Sequence, residues 1–318
     1  MFSIICPVHN KENELKETID SVFDQEVQDF QLILVENAST DNSMEVIQSY
    51  SDERIHVIRA GKIGPGAARN LGADHAIFPW IVFLDADDVW KRNHLSNFKR
   101  AITSHPDRFF FSTSWEIWTK ASSLPTPISN VFPKDEEFLK LPEVLALSIK
   151  NLPPFWTSAI AVSKEAFLTV GGFPAALPAH GEDVALWVKL LHSQQGIHFI
   201  NNASAKYRID GTNMTSNSFF QGQIYQVSFP GHIYQAIEKV LTETIDPNLA
   251  RLWKKFGNKY QYSALSKALI SGTFKSEYLN YLFPETDLKP TLVKFLFRNS
   301  SLRNIFKSYL LKNDRFHG

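Results

Sequence analysis

The run Trp80-Ile81-Val82-Phe83-Leu84-Asp85-Ala86-Asp87-Asp88 decides how the chain is read, because apolar residues lead without a break into three acids within four positions. A short, uninterrupted apolar run bounded by polar residues is the pattern of a strand buried on both faces of a sheet. Three similar runs precede it: Ser3–Cys6, stopped by Pro7, then Leu32–Val35 and Ile55–Ile58. Between them apolar residues recur at helical spacing, at Leu15, Ile19, Val22 and Phe23 and again at Met44, Ile47 and Tyr50. An Ala-rich helix starts at Ala67, after the turn Gly64-Pro65-Gly66. Such alternation implies right-handed βαβ units and a mostly parallel α/β sheet flanked by helices. Ligands on such sheets bind at the carboxyl ends of the strands. The first candidates are therefore His9 and Asn10, Glu36 and Asn37, and the acids Asp85–Asp88.

In a strand, residues i and i+2 project to the same side, so Asp85 and Asp87 are expected to face one ligand. Paired carboxylates suit a hard divalent cation, Mn²⁺ or Mg²⁺, that is itself held on a diphosphate. Asp88 before Val89-Trp90 reads as a helix N-cap. Three acids exceed what a cap requires, and the metal reading is preferred. Gly64-Pro65-Gly66 invites comparison with a dinucleotide fingerprint, but Arg69 occupies the third glycine position and the turn follows the third strand rather than the first. A nicotinamide site is rejected, and a nucleotide near this loop is retained. Arg69 reads either as a surface helix charge or as part of that site.

The middle of the chain is less regular. Arg108–Trp118 is β-rich, Leu124–Pro133 is a Pro-rich loop, and Ala159–Val162 is a short strand. Ser163 is the expected N-cap of a helix ended by Gly171-Gly172, and Ile197–Ile209 returns as strand. Glu182-Asp183 enters a helix that carries Val184, Trp187, Val188 and Leu191 on one face. Acids in a first turn complement the helix dipole, while a carboxylate delivered to a cleft is a general base. Spacing alone does not choose between them. Trp115, Trp118, Phe155 and Trp156 form either an aromatic platform for a sugar acceptor or part of the core.

Among 318 residues, Lys+Arg and Asp+Glu number 33 each, so net charge is zero, which excludes a nucleic-acid binder that uses its whole surface. Cys6 is the only cysteine, so there is no disulfide framework or cysteine zinc site, in keeping with a reducing compartment. No basic, apolar leader is expected at the N-terminus, and no apolar run approaches the length of a spanning helix. No G-x-S-x-G elbow, H-E-x-x-H or complete P-loop occurs. A cytoplasmic protein, peripheral at most at the inner face of the cell membrane, is expected. Helical spacing dominates after about Ser218, which divides the chain at 217/218. From Lys289 to Gly318, seven basic residues stand against one acid and alternate with Phe295, Phe297, Leu302, Ile305, Phe306, Tyr309 and Leu310. Such a tail suits the surface of an anionic membrane.

Several of these stretches together resemble the motifs of family-2 glycosyltransferases. Ile4-Ile5-Cys6-Pro7-Val8-His9-Asn10-Lys11-Glu12 is similar to the opening, an apolar strand followed by Pro-Val-Tyr-Asn. Val35-Glu36-Asn37-Ala38-Ser39-Thr40-Asp41 resembles the second motif, and Gly64…Ala68-Arg69-Asn70 the Gly…Ala-Arg-Asn stretch. Asp85-Ala86-Asp87-Asp88 resembles the DxD motif, Glu182-Asp183 with Trp187 the ED element, and Tyr207-Arg208 a late Tyr-Arg-x-His element. The resemblance covers about the first 215 residues. It implies a GT-A fold, a nucleotide-sugar donor, most often a UDP-sugar, and inversion at the anomeric carbon of the sugar passed to a glycan or glycolipid acceptor. It places Pro7, Glu36 and Asp41 beside the nucleoside, Asp85 near the ribose with Arg69 close by, Asp87 on the metal and Asp183 as the base. Asp210 stands where the late metal-contacting His is usual, and Glu36 where Asp is usual. Two other readings are a sugar-nucleotide pyrophosphorylase and an inactive binding module. The first lacks a Gly-rich loop with Arg and Lys after the first strand, and the intact acids argue against the second. The processive-synthase signature Gln-x-x-Arg-Trp is absent, which favours one sugar per encounter.

Overall fold

The computed structural model describes residues 1–119, 121–132, 134–174, 181–209, 231–271, 274–284 and 289–312. Strands β1 (Phe2–Val8), β2 (Phe30–Asn37), β3 (Ile55–Ala60) and β4 (Trp80–Phe83) lie in the order β3-β2-β1-β4, every neighbouring pair parallel. Helices α1 (Leu15–Phe23), α2 (Ser43–Gln48) and α3 (Pro65–Asp74) make the crossovers. Phe2, Ile4, Ile5, Val8, Leu32–Val35 and Ile81–Phe83 are buried, as strands covered on both faces must be.

Beyond β4 the sheet becomes mixed. β9 (Ile160–Ser163) runs antiparallel to both β4 and β6 (Phe110–Trp118), and β10 (Gly196–Arg208) runs parallel to β6. β5 (Val89–Trp90), β7 (Ser123–Pro125) and β8 (Glu136–Lys140) complete a ten-stranded sheet. The expected N-cap role of Asp88 is not realised. Val89-Trp90 pairs with Lys206 and Ala205 of β10, and α4 (His94–Ser104) begins only afterwards. The Pro-rich loop also differs from expectation, since it holds β7 and a 3₁₀ turn, Pro127–Asn130, that buries Ile128. Ser163 does cap α6 (Lys164–Thr169), accepting from Ala166 N–H at 3.1 Å, and Gly171 and Gly172 follow with φ of 76° and 58°.

Helices α5 (Leu141–Ile149) and α7 (Glu182–Gln194) cover the mixed half, with Trp187 buried among Phe83, Phe110 and Phe173. The boundary expected at 217/218 falls outside the described residues. On its far side, α8 (Gly231–Glu243) packs on α7 and α9 (Pro247–Ser271) on α5, so Ile237, Trp253 and Phe256 join the main core. A second cluster, Leu265, Leu269, Leu279, Leu282 and Phe297, ties α10 (Lys289–Arg298) to α9, and Phe306 of α11 (Ser300–Lys312) packs against it. No helix among the described residues is long and apolar enough to cross a membrane.

α3 rests on β1 through Gly72, where a Cβ would lie 2.5 Å from Ile5 Cγ2 and 3.3 Å from Val35 Cγ2. Gly72→Ala should lower unfolding free energy by about 1–3 kcal/mol from overpacking, despite the better helix propensity of Ala. Gly61, with nothing within 4 Å of its Cβ position, is the control. Urea midpoints of the two alanine variants check this, the Gly61 variant staying near the parent.

Candidate active site

The loops at the carboxyl ends of β1 and β2 are tied together by short polar bonds. Pro7, part-buried between the buried Cys6 and Val8, pairs in register with Val35. His9 Nδ1 donates to the Asn37 carbonyl at 2.9 Å, and Asn10, with φ of 53°, accepts from Thr40 N–H at 2.7 Å. Glu36 accepts from Ser39 N–H at 2.5 Å. Asp41 receives Glu12 N–H, Ser43 N–H and the Ser43 hydroxyl. Burial raises the Asp41 carboxyl, but these bonds outweigh it and hold the group below its ordinary range. Glu36 and Asp41 thus spend carboxylate oxygens on shaping the loop after β2.

At the end of β4 the chain turns rather than continuing as strand, closed by Asp88 N–H to the Asp85 carbonyl at 3.0 Å. The alternation expected of Asp85 and Asp87 is therefore replaced by a turn that gives each acid its own partner. Asp85 meets Arg69 Nη2 at 2.5 Å, and Asp87 meets Lys11 Nζ at 2.7 Å. Asp88 is fully enclosed and accepts from the Ser158 hydroxyl at 2.6 Å and Arg208 N–H at 3.2 Å. Burial, then the charges of Asp87 and Asp85, push the Asp88 carboxyl well above its usual range. Burial also raises Asp87, against the pull of Lys11. Arg208, the residue expected to open the late element, donates Nε–H to the Asp87 carbonyl at 2.8 Å and reaches Glu17 at 2.6 Å. Asp210 lies outside the described residues.

Arg69 is buried on α3 and faces the Phe173 ring, so it is not a surface charge. Its Nη1 lies 3.7 Å from Glu182 Oε1. Gly66 makes room for this acid, because a Cβ there would sit 3.0 Å from Glu182 Cγ. Asn70 grips the Phe173 backbone with two bonds, 2.8 and 2.9 Å, and so fixes the chain that leads toward α7. Glu182 and Asp183 form the first turn of α7 after Gly181. Glu182 is committed to Arg69, while Asp183 accepts only its neighbour Val184 N–H at 2.7 Å among the bonds resolved here. Burial, with Glu182 beside it, pushes the Asp183 carboxyl up to about 6. From α9, Tyr260 stands close enough that Asp183, after burial, raises its phenol above the ordinary range.

The Glycosyl transferase family 2 model matches residues 3–145, which span β1 to the start of α5 and include Asp85–Asp88. These residues form a family-2 glycosyltransferase domain. The chain is similar to the teichuronic acid biosynthesis glycosyltransferase TuaG of Bacillus subtilis, 26% identical over 224 residues, 69% of this chain and 83% of TuaG. It spans about a third of three longer, uncharacterized rickettsial glycosyltransferases. Residues 1–349 of S. aureus TarS in complex with UDP-GlcNAc match with a TM-score of 0.71 at 13% identity, over 100% of this chain and 93% of that one. The mannosyltransferase PcManGT from Pyrobaculum calidifontis, in complex with GDP-Man and Mn²⁺, matches with a TM-score of 0.57 at 16% identity, over 98% and 84%. The likeness in fold to TarS reaches the described C-terminal helices as well as the sheet.

The aromatic quartet divides. Trp115 and Phe155 are core, whereas Trp156 is part-buried and contacts both Trp115 and Tyr207, and Trp118 lies under Arg208. Lys11, Ser158 and Tyr260 were not singled out from sequence. Lys11 sits inside the first motif and its charge was the available signal, whereas no local pattern marks the other two.

The raised Asp183 carboxyl has a stability consequence. Between the unfolded value near 3.8 and about 6, the folded chain holds the proton more tightly. The contribution is thus present at low pH and lost as pH rises through that window. Asp183→Asn should therefore raise unfolding free energy by roughly 1–3 kcal/mol at pH 8 and leave it nearly unchanged at pH 4. Denaturant midpoints at both values check the sign.

Proposed function

We propose that this protein moves a sugar, with inversion, from a nucleoside-diphosphate donor to a hydroxyl of a glycan or glycolipid acceptor in the synthesis of a cell-surface polysaccharide. The observation that carries the reading is the charge-paired turn Asp85–Asp88, joined through Arg69 to Glu182 with Asp183 beside it. It sets a cation-seeking acid cluster and a carboxylate of raised basicity beside the carboxyl end of β4. The UDP-GlcNAc held by TarS supports a UDP-sugar donor.

The residues fit a divalent cation. Asp87 is an oxygen donor whose charge burial disfavours, so a cation beside it relieves a cost that Lys11 only partly offsets. Asp87, with Asp85 adjacent, would hold Mn²⁺ or Mg²⁺, and Asp210 is carried as a further contact. Such an ion supplies positive charge against the donor diphosphate. The Mn²⁺ in PcManGT supports this. Pro7, Glu36 and Asp41 border the nucleoside, and Arg69 holds Asp85 in place.

Asp183 takes the acceptor hydroxyl proton as that oxygen bonds to the anomeric carbon and the bond from carbon to the diphosphate oxygen breaks. At about 6, its carboxyl is ionised at neutral pH yet more basic than a free aspartate. No enzyme nucleophile is needed for this single displacement. Asp183→Asn should lower transfer by roughly 10²–10⁴-fold with UDP-sugar affinity little changed. The parent kcat/KM should rise with pH through about 6. Near-normal transfer by Asp183→Asn would remove the assignment, and a dead Glu182→Gln beside it would move the role one residue back. Asp87→Ala should abolish the Mn²⁺-dependent part of UDP binding in calorimetry.

The tail supports peripheral attachment to an anionic membrane. Phe297 and Phe306 are used in packing, but Leu292 and Ile305 stay 55% and 66% exposed on helices that carry Lys294, Arg298 and Lys307. The full chain should sediment with vesicles rich in phosphatidylglycerol. Leu292→Asp with Ile305→Asp should reduce that fraction severalfold without changing transfer to a soluble acceptor. Equal sedimentation of both proteins would end the attachment reading.

A further inference from the structure

A second cluster of ligand-type side chains lies at the other end of β10. His198, near the start of that strand, is ten residues from Arg208, which places it roughly 30 Å along the strand from the acid turn. Its imidazole is 2% exposed, and neither ring nitrogen has a hydrogen-bond partner. Buried polar groups of this kind are ordinarily satisfied. The His105 ring lies beside it with centroids 4.3 Å apart, and His105 Nε2 is 3.4 Å from Glu136 Oε1. One donor atom from each of His105, Glu136 and His198 lies within 4.8 Å of the others.

Three separate elements supply these residues. His105 is the C-cap of α4, Glu136 opens β8, and His198 pairs with Phe138 of β8, so Glu136 is its diagonal neighbour on the same face. We infer that His105, Glu136 and His198 bind a divalent transition-metal ion of the zinc class, distinct from the ion at Asp87, and that it clamps α4 to the β8–β10 edge.

Two imidazoles and one carboxylate are a donor set that zinc accepts at short distances, with water completing the coordination. Hard ions such as Mg²⁺ favour all-oxygen sites. Each imidazole, when neutral, offers one unprotonated ring nitrogen to a metal. The C-terminal end of α4 adds negative potential at His105. Opposing charges are also present. Arg100 lies 3.6 Å from Glu136 Oε2, and Arg108 stacks over Phe138 and faces His198. Arg100 is largely exposed and can swing to water when Glu136 turns to the ion.

The test uses the full chain stripped with EDTA and titrated with Zn²⁺ alone, with Co²⁺ as a spectroscopic substitute. One equivalent should bind and raise the thermal midpoint without nucleotide, and the Co²⁺ form should show the visible bands of a nitrogen-ligated, low-coordinate ion. His105→Ala and Glu136→Gln alter part-exposed side chains, so they should fold. Each should weaken Zn²⁺ binding by at least about 100-fold, more than an outer-shell change costs. Asp87→Asn should leave this Zn²⁺ equivalent in place, which separates the site from the DxD turn. Undiminished Zn²⁺ affinity in both His105→Ala and Glu136→Gln overturns the proposal. An all-oxygen Co²⁺ spectrum, or loss of the equivalent in Asp87→Asn, does the same. Because the readout is metal binding, the result is independent of the sugar-transfer assignment.

Discussion

The buried guanidinium of Arg69 is the interaction on which the rest of the site depends. It stands between Asp85, at the end of the parallel half of the sheet, and Glu182, at the start of α7. Without it two carboxylates would face each other in a region that water cannot screen. Removing one partner of such a cluster leaves an uncompensated buried charge, which is far more costly than the pair was worth. Arg69 also fixes where Asp183 stands, because Asp183 follows Glu182 directly. Aligning α7 on Arg69 sets where that carboxylate stands relative to the acid turn. The helix that bears Arg69 is held close to β1 by the absence of a side chain at Gly72.

Around that cation the three acids of the turn have separate duties. Asp88 is closed off by Ser158 and the Arg208 backbone, and its carboxyl is raised furthest, so it builds the turn and offers nothing to a ligand. Asp87 is paired with the ammonium of Lys11, which lies in the loop after β1. A point charge on a flexible stem is easily exchanged for another cation. The planar guanidinium beside Asp85 is not. One acid is therefore structural, one is held for orientation, and one is exchangeable. The electrostatic strain on Asp87 is what a bound cation would relieve.

Much of the parallel half was legible because β1, β2 and β4 are buried on both faces and read as unbroken apolar runs. β5 has two residues and β8 begins Glu136-Glu137, so neither carries a strand signal. The acids at Asp85 and Asp87 were found, but through an alternation that the structure does not contain. The strand stops at Phe83 and the chain turns. The pairing of Lys11 with Asp87 spans 76 residues and the bond from Arg208 to the Asp87 carbonyl spans 121. Local periodicity holds no record of such contacts. Motif resemblance pointed to Arg69 and Asp183, which the fold brings close to one another through Glu182, because it carries spatial information that spacing lacks.

The C-terminal helices matter to the chemistry for the same reason. Asp183 is basic because it is buried, and part of what stands near it is Tyr260 on α9, beyond every stretch that resembles a family motif. α8 packs on α7, and Trp253 and Phe256 share the main core with the sheet. The basicity of the carboxylate is therefore set jointly by the motif-bearing half and by helices that resemble nothing in it. A change in those helices can retune the Asp183 carboxyl without touching the Asp85–Asp88 turn. On the proposal that Asp183 is the base, changes in those helices alter its carboxyl while the acid turn that would face the donor stays as it is.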